Sequence, residues 1–140
     1  MNGTQTLRIG DTALTVREIE IDDVERLGRM FNRLSAESVY RRFFSPIHEP
    51  PRAALLWLAA VDHRDRDALV ALDGDEIVAV ARYDAQAGTH AAEIAVTVED
   101  AWQRQGLGKR LAVRLARRAI DRGEYAASIQ RDAASSSGPA

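Results

Sequence analysis

The stretch that decides the fold is QRQGLG, Gln103–Gly108, which stands between an apparent strand and an apparent helix. The strand before it, Glu93–Val98, is rich in β-branched residues. The helix after it repeats apolar residues at helical spacing, at Leu107, Leu111, Leu115 and Ala119. A glycine-containing loop that opens a helix directs unpaired backbone N–H groups and the positive end of the helix dipole at one spot. The segment Gln103–Lys109 is therefore predicted to bind a phosphate or pyrophosphate.

The two glycines of this stretch have different physical tasks. Gly106 lets backbone N–H groups approach an anion and permits a positive φ. Gly108 lies in the first helical turn, where a Cβ would project toward the ligand or the neighbouring strand. The alternative interpretation is an ordinary tight turn, because short glycine motifs occur by chance. The patterns GxGxxG and GxxxxGK[ST] do not occur here, which disfavours dinucleotides and nucleoside triphosphates as ligands.

The loop does match Gln/Arg-x-x-Gly-x-Gly/Ala after a strand, with Gln103, Gly106 and Gly108 in the three defining positions. In this the sequence resembles the GCN5-related N-acetyltransferase (GNAT) family, whose acetyl-CoA pyrophosphate loop has this form. The resemblance is specific over residues 91–123 and extends back to Leu14 by the order of the elements. It implies an α/β (α+β) fold with a mixed, mostly antiparallel sheet flanked by helices. The segment Ser38–Phe44 is similar to the bacterial protein-lysine acetyltransferase branch.

The order of the predicted elements agrees with this resemblance. The predicted strands are Leu14–Ile19, Ala68–Leu72 and Ile77–Tyr83. One predicted helix begins after an N-cap at Asp22, and two more cover Ala36–Phe44 and Ala53–Val61. Asp73-Gly74-Asp75 is a hairpin signal. Consecutive strands joined by short turns are antiparallel, so the sheet is predicted to be mostly antiparallel up to Val98.

Beyond Gly123 the pattern weakens. Glu124–Gln130 predicts at most one weak strand, and the residues after it are small, polar and typical of disordered chain. The family fold continues at this point with a strand, a helix and a β-hairpin, for which we expect no room. We therefore expect an incomplete acetyltransferase domain over residues 1–123 and an atypical tail over 124–140. A strand at Glu93–Val98 without a neighbour would lower stability or favour a homo-oligomer.

Composition excludes several classes of function. The 140 residues predict one domain, and a formal net charge of −2 gives no basic field for nucleic acid. The absence of cysteine excludes disulfides, thiolate metal sites and a cysteine nucleophile. His48, His63 and His90 are isolated, so no metal site is expected. No apolar run predicts a membrane span or a signal peptide, and we therefore expect no membrane partner and a cytoplasmic location.

The resemblance also implies a chemistry, in which acetyl-CoA is the co-substrate and a primary amine of a small molecule or protein lysine attacks it directly. Glu93, ten positions before Gln103, is the candidate general base; alternatively it is a solvated carboxylate at the start of a strand. The candidate coenzyme-binding residues are Val96, Thr97, Val98, Gln103, Arg104, Gln105, Gly106, Leu107, Gly108 and Lys109. The first three would act through their backbone on the pantetheine arm.

Two other hypotheses stay open on the sequence alone. One is a protein that keeps the loop and binds acetyl-CoA without turnover, or that a partner chain completes. The other is an unrelated α+β interaction module with a glycine turn. The sequence does not identify the acceptor amine.

Overall fold

The structure, a computed structural model, describes residues 3–34, 52–85, 91–121 and 126–131. Within them six strands form one sheet, packed between helices. The strands are β1 (Gln5–Ile9), β2 (Thr12–Glu18), β3 (Arg66–Asp73), β4 (Glu76–Ala85), β5 (Ala91–Val98) and β6 (Ala126–Arg131). The helices are α1 (Val24–Arg33), α2 (Arg52–Ala59) and α3 (Leu107–Asp121), with short 3-10 turns at Ile21–Asp23 and Asp100–Trp102.

The sheet follows the order of the chain, β1-β2-β3-β4-β5-β6. Each of the first four strands is antiparallel to the next, and β6 is parallel to β5. The predicted hairpin at Asp73-Gly74-Asp75 joins β3 to β4, and Gly74 takes a φ of +64° there. The predicted mixed, mostly antiparallel sheet with flanking helices is confirmed.

The strand β5 has a neighbour on both sides. Its register with β6 runs from Ala91 opposite Ala126 to Val96 opposite Arg131. The expectation that Glu93–Val98 lacks a neighbour is therefore wrong. The prediction of low stability rested on that missing neighbour and is no longer supported. Because β6 returns beside β5 after the whole of α3, its pairing is a non-local contact that the weak local pattern of Glu124–Gln130 does not reveal.

Two hydrophobic cores cover the two faces of the sheet. On one face α3 buries the predicted stripe, in which Leu107, Leu111, Leu115 and Ala119 are each at most 1% exposed. On the other face α1 and α2 pack over β3 and β4, through residues such as Leu27, Met30 and Leu55. Of the predicted helices, Ala53–Val61 corresponds to α2, whereas Ala36–Phe44 lies outside the described residues. None of the described helices is long and apolar enough to cross a membrane.

Two local predictions at the N-terminal end need correction. The sequence analysis missed β1, whose only buried side chains are Leu7 and Ile9, because two alternating apolar residues are a weak signal. Asp22 does not cap α1, since a 3-10 turn precedes the helix and Asp23 takes the N-cap position. Asp23 is fully buried, and its carboxylate accepts two hydrogen bonds from Arg17, both at 2.8 Å, and one from the backbone N–H of Glu20 at 2.8 Å.

Asp23→Asn should lower the free energy of unfolding by about 3–5 kcal/mol at neutral pH, because it leaves Arg17 without its buried partner. Burial raises the pKa of Asp23, but hydrogen bonds from Arg17 and the Glu20 N–H outweigh burial and hold this pKa below its ordinary value. The contribution of Asp23 is thus fully present above the ordinary aspartate pKa of about 3.9 and lost as pH falls through the lower folded value. Urea unfolding of both proteins from pH 7 to pH 3 should show the difference shrinking only at the acid end.

The arginines on α3 tie the helix to the sheet. Arg110 donates to the carbonyl of Arg8 at 2.6 Å, and Arg114 donates to the side chain of Gln5. Arg118 donates to Asp67 at 2.9 Å and to Glu18 at 2.5 Å. Asp67 is fully buried and also contacts His63 Nδ1 at 2.7 Å, so it links α3 to the segment before β3.

Candidate functional site

The candidate site is built around the loop of residues 99–106, here called the β5–α3 loop. Its first turn is closed by hydrogen bonds from Trp102 N to the carbonyl of Glu99 (2.8 Å) and from Gln103 N to that of Asp100 (3.3 Å). Beyond the turn the backbone is left-handed twice, at Arg104 (φ +66°) and Gly106 (φ +82°). Only glycine takes this conformation without cost, so Arg104 carries backbone strain of about 1–2 kcal/mol. Strain of this kind is concentrated at functional sites.

The loop leads directly into the N-terminus of α3, whose first N–H groups lack an acceptor within the helix. Arg110 N donates to the carbonyl of Gly106 at 3.1 Å, and by helix geometry the N–H groups before it have no acceptor within the helix. Those groups belong to Leu107, Gly108 and Lys109. The side chain of Leu107 is only 1% exposed, so this residue can serve a ligand only through its backbone.

Three predicted side chains of this segment, Arg104, Gln105 and Lys109, are exposed. An ideal Cβ on Gly106 would meet no atom within 4 Å, so the space beside it is open to a ligand. Two cations, N–H groups without an acceptor in the helix and a helix dipole together favour a phosphate-bearing anion. The structure therefore places residues 104–109, called the anion surface below, at the N-terminus of α3.

Gln103 has a different geometry from that surface. Its side-chain Nε2 donates to the carbonyl of Val98 at 2.9 Å, so its amide fastens the loop to the end of β5. Glu99 N donates to Val78 in β4, and the hydrogen-bonding direction alternates along a strand, so the Val98 carbonyl points away from β4. The glutamine thus holds the loop at the side where β6 runs.

Gly108 explains why α3 approaches β5 closely. A Cβ at this position would lie 3.1 Å from Val96 Cγ1 and 3.2 Å from Val98 Cγ2. Of the two possibilities left by the sequence, the missing side chain makes room for the neighbouring strand.

Gly108→Leu should lower the free energy of unfolding by about 1–3 kcal/mol, because the larger side chain forces α3 away from Val96 and Val98. Gly108→Ala is the matched control. The helix propensity it gains, about 1 kcal/mol, offsets a displacement of a few tenths of an ångström, so its stability should differ from wild type by less than that amount. Urea unfolding measures both; equal effects of alanine and leucine would contradict the proposed packing.

The end of β5 presents different groups to the two faces. Val96 and Val98 belong to the core beneath α3, whereas Thr97, 5% exposed, lies opposite Val80 on the other face. The pairing with β6 ends at Val96, so Thr97 and Val98 extend past the last described β5–β6 pair. The backbone of this segment lies directly beside the β5–α3 loop.

Glu93 lies apart from the loop, near the start of β5. It is exposed and shares the face of Thr97, since it is four residues away on the same strand. At about 3.3 Å per residue, this separation is about 13 Å. Its cross-strand partner is Asp84, whose carboxylate is held by Arg66 at 2.7 Å. A ligand that contacts both the loop and Glu93 would therefore have to run along β5.

One residue of the site carried no signal in the sequence. The side chain of Glu99, 13% exposed, accepts a hydrogen bond from Arg33 Nε at 2.9 Å, although the two residues are 66 positions apart. No local pattern predicts such a pair. Within the part of the chain that the structure describes, no group of three His, Cys, Asp or Glu residues could hold a metal ion.

Comparison with known proteins gives concordant matches. A family model described as "Acetyltransferase (GNAT) family" matches residues 33–135, a range that includes β6. Acetyltransferase Pat of Mycolicibacterium smegmatis is 37% identical over 97 residues, which are 66% of this chain and 28% of that protein. Acetyltransferase PA5475 of Pseudomonas aeruginosa is 35% identical over 96 residues, or 66% of this chain and 52% of that protein.

Among solved structures, the GNAT domain of S. lividans PAT superposes with a TM-score of 0.78 at 32% identity. The match covers 86% of this chain and 73% of that one. The alignments thus span between about a quarter and about half of the curated relatives, and most of the solved domain.

Proposed function

The chain belongs to the acetyltransferase (GNAT) family, and on that premise we propose that it transfers the acetyl group of acetyl-CoA to a primary amine. The observation that carries the proposal is the left-handed Gly106 in front of the N-terminus of α3. That arrangement suits the diphosphate of the coenzyme, because it offers several N–H donors and a helix dipole to one anion.

The residues around this anion surface fit the coenzyme. The N–H groups of Leu107, Gly108 and Lys109 would bind the diphosphate, and the side chains of Arg104 and Lys109 would add charge-assisted contacts. Gln103 would keep the loop in place through its bond to Val98. The pantetheine arm would run along the backbone of Val96–Val98, toward the part of β5 that carries Glu93.

Glu93 is the proposed general base. The amine nitrogen attacks the thioester carbonyl carbon, the C–S bond breaks, and the coenzyme leaves as a thiolate, which then takes up a proton from solvent. The proton lost by the amine passes to the carboxylate of Glu93, directly or through one water. The exposed position of Glu93 on the face away from α3 supports this role, because an acceptor amine can approach there without displacing the β5–α3 loop.

A second candidate function is coenzyme binding without turnover. It is favoured by the fact that the alignments span only part of the curated relatives. In this case the anion surface would bind the coenzyme as proposed above. Catalysis would require further structural elements or a partner chain, for example a second copy of this chain.

One experiment separates the two functions. The purified chain is incubated with acetyl-CoA and, in turn, a lysine-containing peptide, spermidine and kanamycin, and released coenzyme thiol is measured. Amine-dependent thiol release supports the transferase. Calorimetric binding of acetyl-CoA with no release for any amine supports the second candidate, and absence of binding overturns both.

A further inference from the structure

The guanidinium of Arg33, at the C-terminal end of α1, holds three separate groups. Its Nε donates to Glu99 at 2.9 Å, its Nη1 to Glu76 at 2.8 Å, and its Nη2 to the carbonyl of Ile77 at 2.7 Å. A planar guanidinium with three fixed acceptors has one orientation only. Arg33 therefore joins α1, the start of β4 and the start of the β5–α3 loop.

Glu99 is fixed at its backbone as well as at its side chain. Its N–H donates to Val78 at 2.9 Å, and its carbonyl accepts from Trp102 N at 2.8 Å. Within the same turn, Gln103 N donates to the carbonyl of Asp100, and the Gln103 side chain donates to the carbonyl of Val98. The position of Glu99 thus sets where the loop starts and where the left-handed residues stand.

We propose that Arg33 is a positioning residue for acetyl transfer, which acts through Glu99 to hold the β5–α3 loop in its anion-binding geometry. The inference rests on the proposed function, because it assigns a task within the same site. Arg33 and Glu99 lie outside residues 104–109, so the effect is transmitted through the backbone of the turn.

The burial of Glu99 separates this pair from ordinary surface ion pairs. Its side chain is 13% exposed, whereas Arg29 and Glu76, another ion pair on the same side of α1, are 44% and 42% exposed. Exposed pairs contribute little, because water replaces a lost partner. A mostly buried carboxylate that loses its cation must turn toward water, and the loop it belongs to moves with it.

The test compares Arg33→Met with Arg29→Met, a matched control on the same helix that also loses a bond to Glu76 but none to Glu99. Calorimetric titration with acetyl-CoA should show the dissociation constant raised about tenfold or more in Arg33→Met, since small misplacements of binding groups have large effects. In Arg29→Met it should change by less than about twofold. Arg33→Lys, which keeps the charge but cannot make all three bonds, should recover part of the affinity.

Steady-state kinetics on any amine that supports turnover should show the same selectivity. In Arg33→Met the KM for acetyl-CoA should rise while kcat at saturating coenzyme changes little, a division that a general loss of folded protein would not produce. Glu99→Gln should raise the dissociation constant as well. The dissociation constant of the double variant Arg33→Met/Glu99→Gln should resemble that of the more affected single variant, because the two residues act through one contact.

Equal affinities of Arg33→Met and Arg29→Met, or additive effects in the double variant, would overturn the positioning role. If Arg33→Met does not fold, Arg33→Lys and Glu99→Gln decide the question on the same criteria. Failure of wild type to bind acetyl-CoA would overturn the proposed function together with this inference. Normal binding by wild type and by all variants would overturn the inference alone.

Discussion

Glu93→Gln should lower kcat by about 100-fold or more and leave the dissociation constant for acetyl-CoA unchanged. General bases contribute about 10²–10⁴ to rate, and glutamine keeps the shape of the side chain while losing the ability to accept a proton. Coenzyme affinity should be unaffected because Glu93 lies about 13 Å along β5 from Thr97, away from the anion surface. Thiol release and calorimetry give the two quantities.

The matched control for Glu93→Gln is Asp84→Asn. Asp84 on β4 is the cross-strand neighbour of Glu93 on β5 and is also a partly exposed carboxylate, but it forms ion pairs with Arg66 and Arg82. We expect its replacement to change kcat by less than about threefold, in keeping with surface substitutions outside a site. A normal kcat in Glu93→Gln would remove Glu93 from the mechanism, and equal losses in both variants would indicate a general effect of charge on this face.

Gly106→Asp should abolish measurable binding of acetyl-CoA, whereas Gly106→Asn should retain it in weakened form. Both side chains tolerate the left-handed backbone at φ +82° better than other residues do, and they have almost the same shape. The difference between them is therefore the negative charge. At an effective dielectric constant of about 20, two like charges 4 Å apart repel by about 4 kcal/mol, which corresponds to roughly a 1,000-fold change in the dissociation constant.

Calorimetric titration of both Gly106 variants with acetyl-CoA checks this prediction, with urea unfolding to establish that they are equally folded. Equal affinities for the aspartate and asparagine variants would show that no anion binds beside residue 106. The open space around an added Cβ makes a purely steric effect of either substitution small.

The sequence predicted the elements from β5 to α3 because its signals there are local. The strand, the glycine loop and the apolar stripe of α3 occupy one continuous segment, and each has its own period or turn chemistry. Gly106 fits its predicted role through its positive φ, and Gly108 fits one of its two through contact with Val96 and Val98. Gln103 stays a predicted coenzyme-binding residue, and its side chain also donates to the carbonyl of Val98.

The features that the sequence did not predict are non-local. The pairing of β6 with β5 requires a crossover through α3, and the bond between Arg33 and Glu99 joins residues 66 positions apart. Asp67 is fully buried and bonds to Arg118 on α3, 51 positions away. Such contacts depend on the assembled sheet and leave no periodicity in the chain.

The most direct test of coenzyme binding is a calorimetric titration of the wild-type chain with acetyl-CoA, after urea unfolding has shown a cooperative transition. We expect one site per chain with a dissociation constant in the micromolar range, in line with typical enzyme–substrate affinities. Inorganic pyrophosphate should compete for the site, because the anion surface at residues 104–109 contributes much of the binding. If a folded chain shows no binding at about 1 mM coenzyme, a free energy weaker than about −4 kcal/mol, the proposed coenzyme site is wrong.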